Sequence, residues 1–192
     1  MKRVTKRKVN YTRAFVICHG KSEHILAQSI KSNLRLPIQI YSKNNGSTSI
    51  QIEGLDHLLR QKDFSSIQNF QTYNNVILEI SKTKIINFFC FIIMDTDDVH
   101  SDAILDSFKN KKMFENHWLY DYIIPIYNFP NLDEVCNNHG YAVNQKEKTK
   151  SYQKIFPGVN GDLEEFQSVL EHFEGAKDSN IQLMLEYFNS LL

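Results

Sequence analysis

The sequence predicts an α/β fold, with a mostly parallel central sheet of about four strands, helices on its faces and further helices at the C-terminus. Three observations predict it. Short apolar runs alternate with segments of helical periodicity, the pattern of a parallel sheet. One run, Phe88 to Met94, has seven consecutive apolar residues, which suits a strand covered on both faces. The composition is that of a folded domain: 192 residues, 42% hydrophobic and 23% charged, enough for one compact core and too apolar for disorder.

The elements follow in order. Ala14 to Cys18 reads as a buried strand. His19-Gly20-Lys21 is a turn, and Ser22 is the expected N-cap of a helix carrying Ile25, Leu26, Ser29, Ile30 and Leu34 at helical spacing. Pro37 to Ser42 is a second strand, and Lys43 to Thr48 a loop by composition. Residues 53–80 are expected to be helical in two or three pieces, with Leu55, Leu58, Leu59, Ile67, Phe70, Ile77 and Ile80 as apolar positions. The seven-residue strand comes next and stops abruptly at Asp95-Thr96-Asp97-Asp98. A further strand runs from about Tyr120 to Tyr127 and ends in Asn128-Phe129-Pro130-Asn131. Helices are expected from Leu132, over 147–155, 162–174 and 179–191, the last with Ile181, Leu185 and Phe188 on one face. The expected organisation is a basic arm over 1–13, an α/β domain over 14–155, and a helical extension over 156–192 packed on the same domain.

The charges balance at 22 bases and 22 acids, which argues against coating nucleic acid by bulk charge. The balance is uneven along the chain. Residues 1–13 hold six bases and no acid, whereas 161–192 hold seven acids and one base. The two ends read as solvated surfaces, or the first as an arm that touches a polyanion. Cys18, Cys90 and Cys136 form no CxxC pair and do not suggest a disulfide scaffold. No stretch reaches the roughly 20 apolar residues that span a bilayer, and the basic start leads into no signal-peptide core. A cytoplasmic protein without membrane contact is expected.

Ligand sites in open parallel sheets form at the carboxyl ends of strands. The first strand delivers His19, Lys21, Ser22 and Glu23 there, and the central one delivers Asp95, Asp97 and Asp98. Asp95 and Asp97 are one residue apart, so in an extended chain both point to one face. Three acids in four residues repel one another unless a positive group neutralises them, and Mg²⁺ is held by a few carboxylates plus waters. Glu23, Asp95, Asp97 and Asp98 are therefore candidate ligands of Mg²⁺ or Mn²⁺. The plain alternative is an acidic loop capping the next helix through Asp98 or Ser101. Lys21 and the amides near Ser22 are candidate phosphate contacts. His100 follows the acidic loop and either approaches the site or sits exposed. Lys146 to Lys154 carries four lysines and Tyr152, and either meets a nucleic-acid backbone or is a solvated helix face. The histidines show no zinc-ligand spacing.

These segments resemble a known pattern. Ile17-Cys-His-Gly-Lys-Ser-Glu23 is similar to the first motif of the Toprim domain, and Phe91-Ile-Ile-Met-Asp-Thr-Asp-Asp98 to its second. That domain is shared by topoisomerases, primases, OLD-family nucleases and small RloB-like proteins. Tyr127 to Glu134 is similar to the Asn-Pro-x-x-Glu-like segment of the RloB and OLD relatives, and Ser151-Tyr-Gln-Lys154 to their downstream Tyr/Lys element. The resemblance spans about residues 12–155. It implies a Toprim-like domain and metal-dependent phosphodiester cleavage of nucleic acid, in a setting such as bacterial or phage defence. Glu23, Asp95 and Asp97 would then act at the metal, with His19 as general acid or base. Lys21 and Lys154 would contact phosphate, and Asp133 or Glu134 would complete the metal shell.

One departure matters. The family places an acid directly before the glycine, where this chain has His19. Histidine exchanges protons near neutral pH and binds Mn²⁺ more readily than Mg²⁺, but supplies no negative charge. A degenerate, non-catalytic Toprim module binding nucleic acid, nucleotide or protein is the alternative. A second enzyme class, a HAD-like phosphatase with Asp95 as nucleophile, fits Asp95-Thr-Asp97 but not the roughly 90 residues that precede it; hydrolysis of p-nitrophenyl phosphate without nucleic-acid cleavage would mark it. DNA or RNA as substrate, a protein partner and self-association all stay open.

Overall fold

The computed structural model describes residues 9–155 and 163–192. Most of the basic arm, and Asp162 of the acidic segment, therefore lie outside the described residues. The core is a four-stranded parallel sheet in the order β2-β1-β5-β6. Its strands are β1 (Ala14–Cys18), β2 (Ile38–Tyr41), β5 (Phe89–Asp95) and β6 (Ile123–Asn128). A separate hairpin pairs β3 (Ile80–Ser81) with β4 (Lys84–Ile85). The α-helices are α1 (Lys21–Leu34), α2 (Leu55–Leu59), α3 (Ile67–Asn74), α4 (Asp102–Lys109), α5 (Leu132–Asn138), α6 (Lys148–Ile155), α7 (Leu163–His172) and α8 (Gln182–Asn189).

Strand alternation divides the core into two layers. Ala14, Val16 and Cys18 of β1, with Phe91 and Ile93 of β5, face α1, α5, α6, α7 and α8. Phe15 and Ile17, with Cys90, Ile92 and Met94, face α2, α3, α4 and the turns around them. Because β1 and β5 are buried on both faces, they read as unbroken apolar runs. The described C-terminal helices belong to the first layer: Phe166, Val169, Ile181, Met184, Leu185 and Phe188 are buried with the β1 and β5 residues. All three cysteines are buried free thiols. Among the described residues no helix is long and apolar enough to cross a membrane.

The expected helical stretch over 53–80 is corrected at its C-terminal end. Helix α3 stops at Asn74, capped by Asn75 in the left-handed conformation, and Ile77 and Ile80 are about half exposed in extended and hairpin backbone. Their apolar spacing resembled a helix face, but no element covers them. Ser22 is also not the cap of α1. Gly20 occupies that position, and Ser22 lies in the first turn.

Candidate active site

Three parallel strands, β1, β5 and β6, end along one edge, and their register brings the chemistry-bearing residues there. Cys18 pairs with Ile93, and Asp95 pairs with Asn128. His19 extends β1 by donating its N–H to the Ile93 carbonyl at 2.9 Å, and its own carbonyl accepts the Ile50 N–H at 2.7 Å. Gly20 then opens α1, and Glu23 Oε2 accepts the Gly20 N–H at 2.8 Å, half of a capping box. The loop 43–46 braces this turn from outside. Gly46 has φ +81°, and a Cβ there would lie 2.7 Å from the Gly20 carbonyl oxygen, so the close approach requires glycine.

Asp95 follows the alternation of Phe91 and Ile93 onto the face covered by α1 and α5. Its Oδ1 accepts the Leu132 N–H at the start of α5 at 3.0 Å and the Asn128 Nδ2 at 3.3 Å. Asn128 is fully buried and accepts the Ser179 hydroxyl at 2.9 Å, tying the strand end to the segment before α8.

Glu23 and Asp95 are the electrostatic focus. Burial pushes Glu23 up to about 7; hydrogen bonds from its own amide and that of Gly20 oppose the shift, and the Asp133 charge adds to it. Burial, and then the Glu23 charge, push Asp95 up to about 8, opposed by His19, Asn128 and the Leu132 amide. Buried carboxylates that repel each other favour a shared proton or a cation between them. Three buried polar atoms along this edge have no partner among the described residues: Glu23 Oε1, His19 Nδ1 and Asp98 Oδ1.

Asp133 is the counter-example. Burial raises it, yet its carboxyl stays below the ordinary range because Lys148, Tyr152, Gln145 and Ser22 all donate to it. Lys148 Nζ lies 2.6 Å from Oδ2, and Gln145 Nε2 donates to the same oxygen at 3.0 Å. Tyr152 and Ser22 hydroxyls donate to Oδ1 at 2.6 and 2.9 Å. Every lone-pair direction is taken, so Asp133 clamps α1, α5 and α6 together rather than completing a metal shell.

The other candidates scatter. The extended backbone stops at Asp95: the chain bends at Thr96, and the Thr96 and Asp97 N–H groups converge on the Pro130 carbonyl at 2.9 and 3.0 Å. Asp97 therefore does not share a face with Asp95. It is exposed, and Asn131 Nδ2 donates to it at 3.2 Å. Asp98 is half-buried at the same loop, His100 and Glu134 are exposed, and Ser101 occupies the N-cap of α4 without a side-chain cap bond. Lys154 is exposed at the end of α6; Lys148, at the first position of the helix, is the lysine that reaches inward. Tyr152 of the same segment does reach the Asp133 clamp. Lys148, Gln145 and the brace at Gly46 are the residues that spacing alone did not single out.

Outside the carboxylate edge, α1 and α6 border two adjoining clefts. One is about 520 Å³ and includes Lys21, Gln28, Ser29, Thr149 and Gln153; the other is about 420 Å³ and includes Lys21, Lys146, Lys148 and Lys150. Lys21 belongs to both, so a lysine-lined trough leads to the turn that carries Glu23.

No group of three or more His, Cys, Asp or Glu side chains among the described residues is spaced to hold a metal ion. The donor set that is present, two buried carboxylates with an unpartnered Glu23 oxygen, fits the looser mode of Mg²⁺, which takes one or two carboxylates and keeps several waters. Compared with protein-family models, curated proteins and solved structures, the chain matches none.

Proposed function

We propose that this chain is a divalent-metal-dependent phosphodiesterase acting on nucleic acid, built on a Toprim-like, RloB-like domain. The observation that carries the reading is the contrast at one sheet edge: among the described residues no cationic side chain is bonded to buried Glu23 or Asp95, and with Lys148 and His19 opposing the shift both are still pushed up, while neighbouring Asp133 is bonded to the Lys148 ammonium and held down. Evolution of a core alone gives no reason to leave two carboxylates in that state, whereas a cation site does.

In this reading Glu23 and Asp95 hold Mg²⁺ or Mn²⁺. When bound, the ion supplies positive charge and Lewis acidity for phosphoryl transfer. His19, buried beside Asp95 with an unpartnered Nδ1, moves the proton to or from the reacting oxygen. Lys21, at the head of the trough, and the first amides of α1 receive a phosphate. Lys146 extends that charge along the trough, where Lys150 is paired with Glu147 at 2.8 Å. Asp97 and Asp98 serve the outer rim rather than the ion itself.

Cleavage of DNA, RNA and tRNA with Mg²⁺ or Mn²⁺ tests this, comparing wild type with Glu23→Gln, Asp95→Asn and His19→Glu. Metal-dependent cleavage that the first two substitutions abolish supports the reading. No cleavage by wild type, or cleavage that survives both substitutions, overturns it. His19 itself favours a second reading, a binding module that has lost catalysis. That reading predicts an inactive wild type in which His19→Glu creates activity.

A further inference from the structure

Phe129 is placed where a folding argument alone would not put it. Among the described residues it is the one exposed Phe, with 60% of its surface in water, and the most exposed of the large hydrophobic side chains. Yet it directly follows fully buried Asn128, at the edge that carries Asp95.

Its backbone is held on both sides. The Phe129 N–H donates to the Asp178 carbonyl at 2.7 Å. The Pro130 carbonyl accepts the Thr96 and Asp97 N–H groups at 2.9 and 3.0 Å. Asn128, one residue before, donates to Asp95 itself. The ring is thus displayed on a fixed base that shares hydrogen bonds with the loop after Asp95.

We infer that Phe129 is a stacking platform for an unpaired nucleobase, which makes single-stranded or locally unpaired nucleic acid the substrate class. The inference rests on the phosphodiesterase reading above. A base offers a flat face to an exposed aromatic ring whatever its identity, and stacking of this kind is the usual sequence-tolerant contact to single strands. In a duplex that face is covered by the neighbouring base pairs and is reached only by unstacking. Asp95 and Asn128 are register partners on adjacent strands, roughly 5 Å apart. Phe129 is the next residue after Asn128, so a base stacked on it belongs to a strand that passes this edge. The lysine trough between α1 and α6 lies across the β1 end of the same edge, so charge and stacking contact the strand from opposite sides of the carboxylates.

The experiment is a binding titration of the full chain in Ca²⁺, read by fluorescence anisotropy. The probes are a dT oligomer, an rU oligomer, an abasic oligomer and a blunt duplex of the same length, at one ionic strength. Wild type is expected to favour the strands with bases. Phe129→Ala should weaken their binding by roughly 5- to 100-fold while leaving the abasic oligomer and the duplex unchanged. Phe129→Trp should retain binding, and its exposed indole should be quenched by base-containing strands and not by the abasic one. Equal binding of dT and rU strands by wild type and Phe129→Ala overturns the inference. So does an equal loss for the abasic oligomer, a preference for duplex, or no binding of any probe by wild type. Thermal melting checks that the variants fold, which the exposure of the ring leads one to expect. The two readings fail separately. If Phe129→Ala leaves binding and cleavage intact while Asp95→Asn abolishes cleavage, the platform falls and the phosphodiesterase stands. If Phe129→Ala weakens strand binding but no metal supports cleavage, the platform stands and the phosphodiesterase falls.

Discussion

Asp133 and the Glu23–Asp95 pair are neighbours in the fold, and the protein treats them in opposite ways. Ser22, which donates to Asp133, stands next to Glu23, and Leu132, whose N–H binds Asp95, stands next to Asp133. Asp133 receives four donors, one of them a lysine ammonium, and is held ionised below its ordinary range. Glu23 and Asp95 receive few donors and no directly bonded cation among the described residues, and burial drives both upward against the fields of Lys148 and His19. A buried carboxylate that is fully hydrogen-bonded is a fastener, whereas a buried pair that is not is an unfilled demand for positive charge. The comparison teaches that burial and acidity do not by themselves mark a functional group; the donor count around each oxygen separates the two roles.

That division is broken most severely by removing charge on each side. Glu23→Gln or Asp95→Asn should lower metal-dependent cleavage by more than about 100-fold while leaving the urea midpoint equal or higher, because an unfavourable buried charge is removed. Asp133→Ala should do the reverse. It leaves the Lys148 ammonium and the Tyr152 hydroxyl without their acceptor and should cost about 2–4 kcal/mol in urea unfolding. A loss of stability in Asp95→Asn as large as in Asp133→Ala would erase the distinction.

A smaller effect tests the brace beneath Glu23. Gly46→Ala forces a Cβ against the Gly20 carbonyl at a positive φ, and should cost about 1–3 kcal/mol. It should also shift the turn that presents His19 and Glu23, so cleavage should fall more than the melting temperature alone explains.

The least specific test is in pH. In the folded state Glu23 and Asp95 hold their protons to about 7 and about 8, whereas in the unfolded chain they release them near 4. The folded state therefore binds more protons between these limits, and stability should fall as pH rises through that window, levelling off above about 8. In a chelator, the melting temperature should drop from pH 5 to pH 8. Mg²⁺ or Mn²⁺ should restore it at pH 8 and do little at pH 5. A shallower profile in Asp95→Asn, with the slope left by Glu23 ending near pH 7, would assign the rest to Asp95.

Much of this was legible in the order of residues, and the misses share one cause. The apolar runs of β1 and β5 declare doubly covered strands, and the acids placed directly after them declare the functional edge. His19, Glu23 and Asp95 do meet there. Asp97 does not, because the chain bends at Thr96, where the Thr96 and Asp97 N–H groups converge on the Pro130 carbonyl, one residue before a strict alternation would deliver it. Ile77 and Ile80 satisfy helical spacing but have nothing packed on them, and spacing does not report what covers a face. The choice of Lys148 over Lys154 depends on which turn of α6 meets Asp133, a contact between segments 15 residues apart in sequence. Residues 43–48 read only as a loop by composition, and the structure gives Asn44, Asn45 and Gly46 positive φ there. What the loop braces is set only by the tertiary fold.

The central claim is that Glu23 and Asp95 form a cation site and Asp133 does not. Calorimetric titration of Mn²⁺ and Mg²⁺ into wild type, Glu23→Gln, Asp95→Asn and Asp133→Asn tests it most directly. The account predicts saturable binding to wild type and to Asp133→Asn, weakened by more than about tenfold in each of the other two. Absence of binding to wild type, or unchanged affinity in Asp95→Asn, would contradict it.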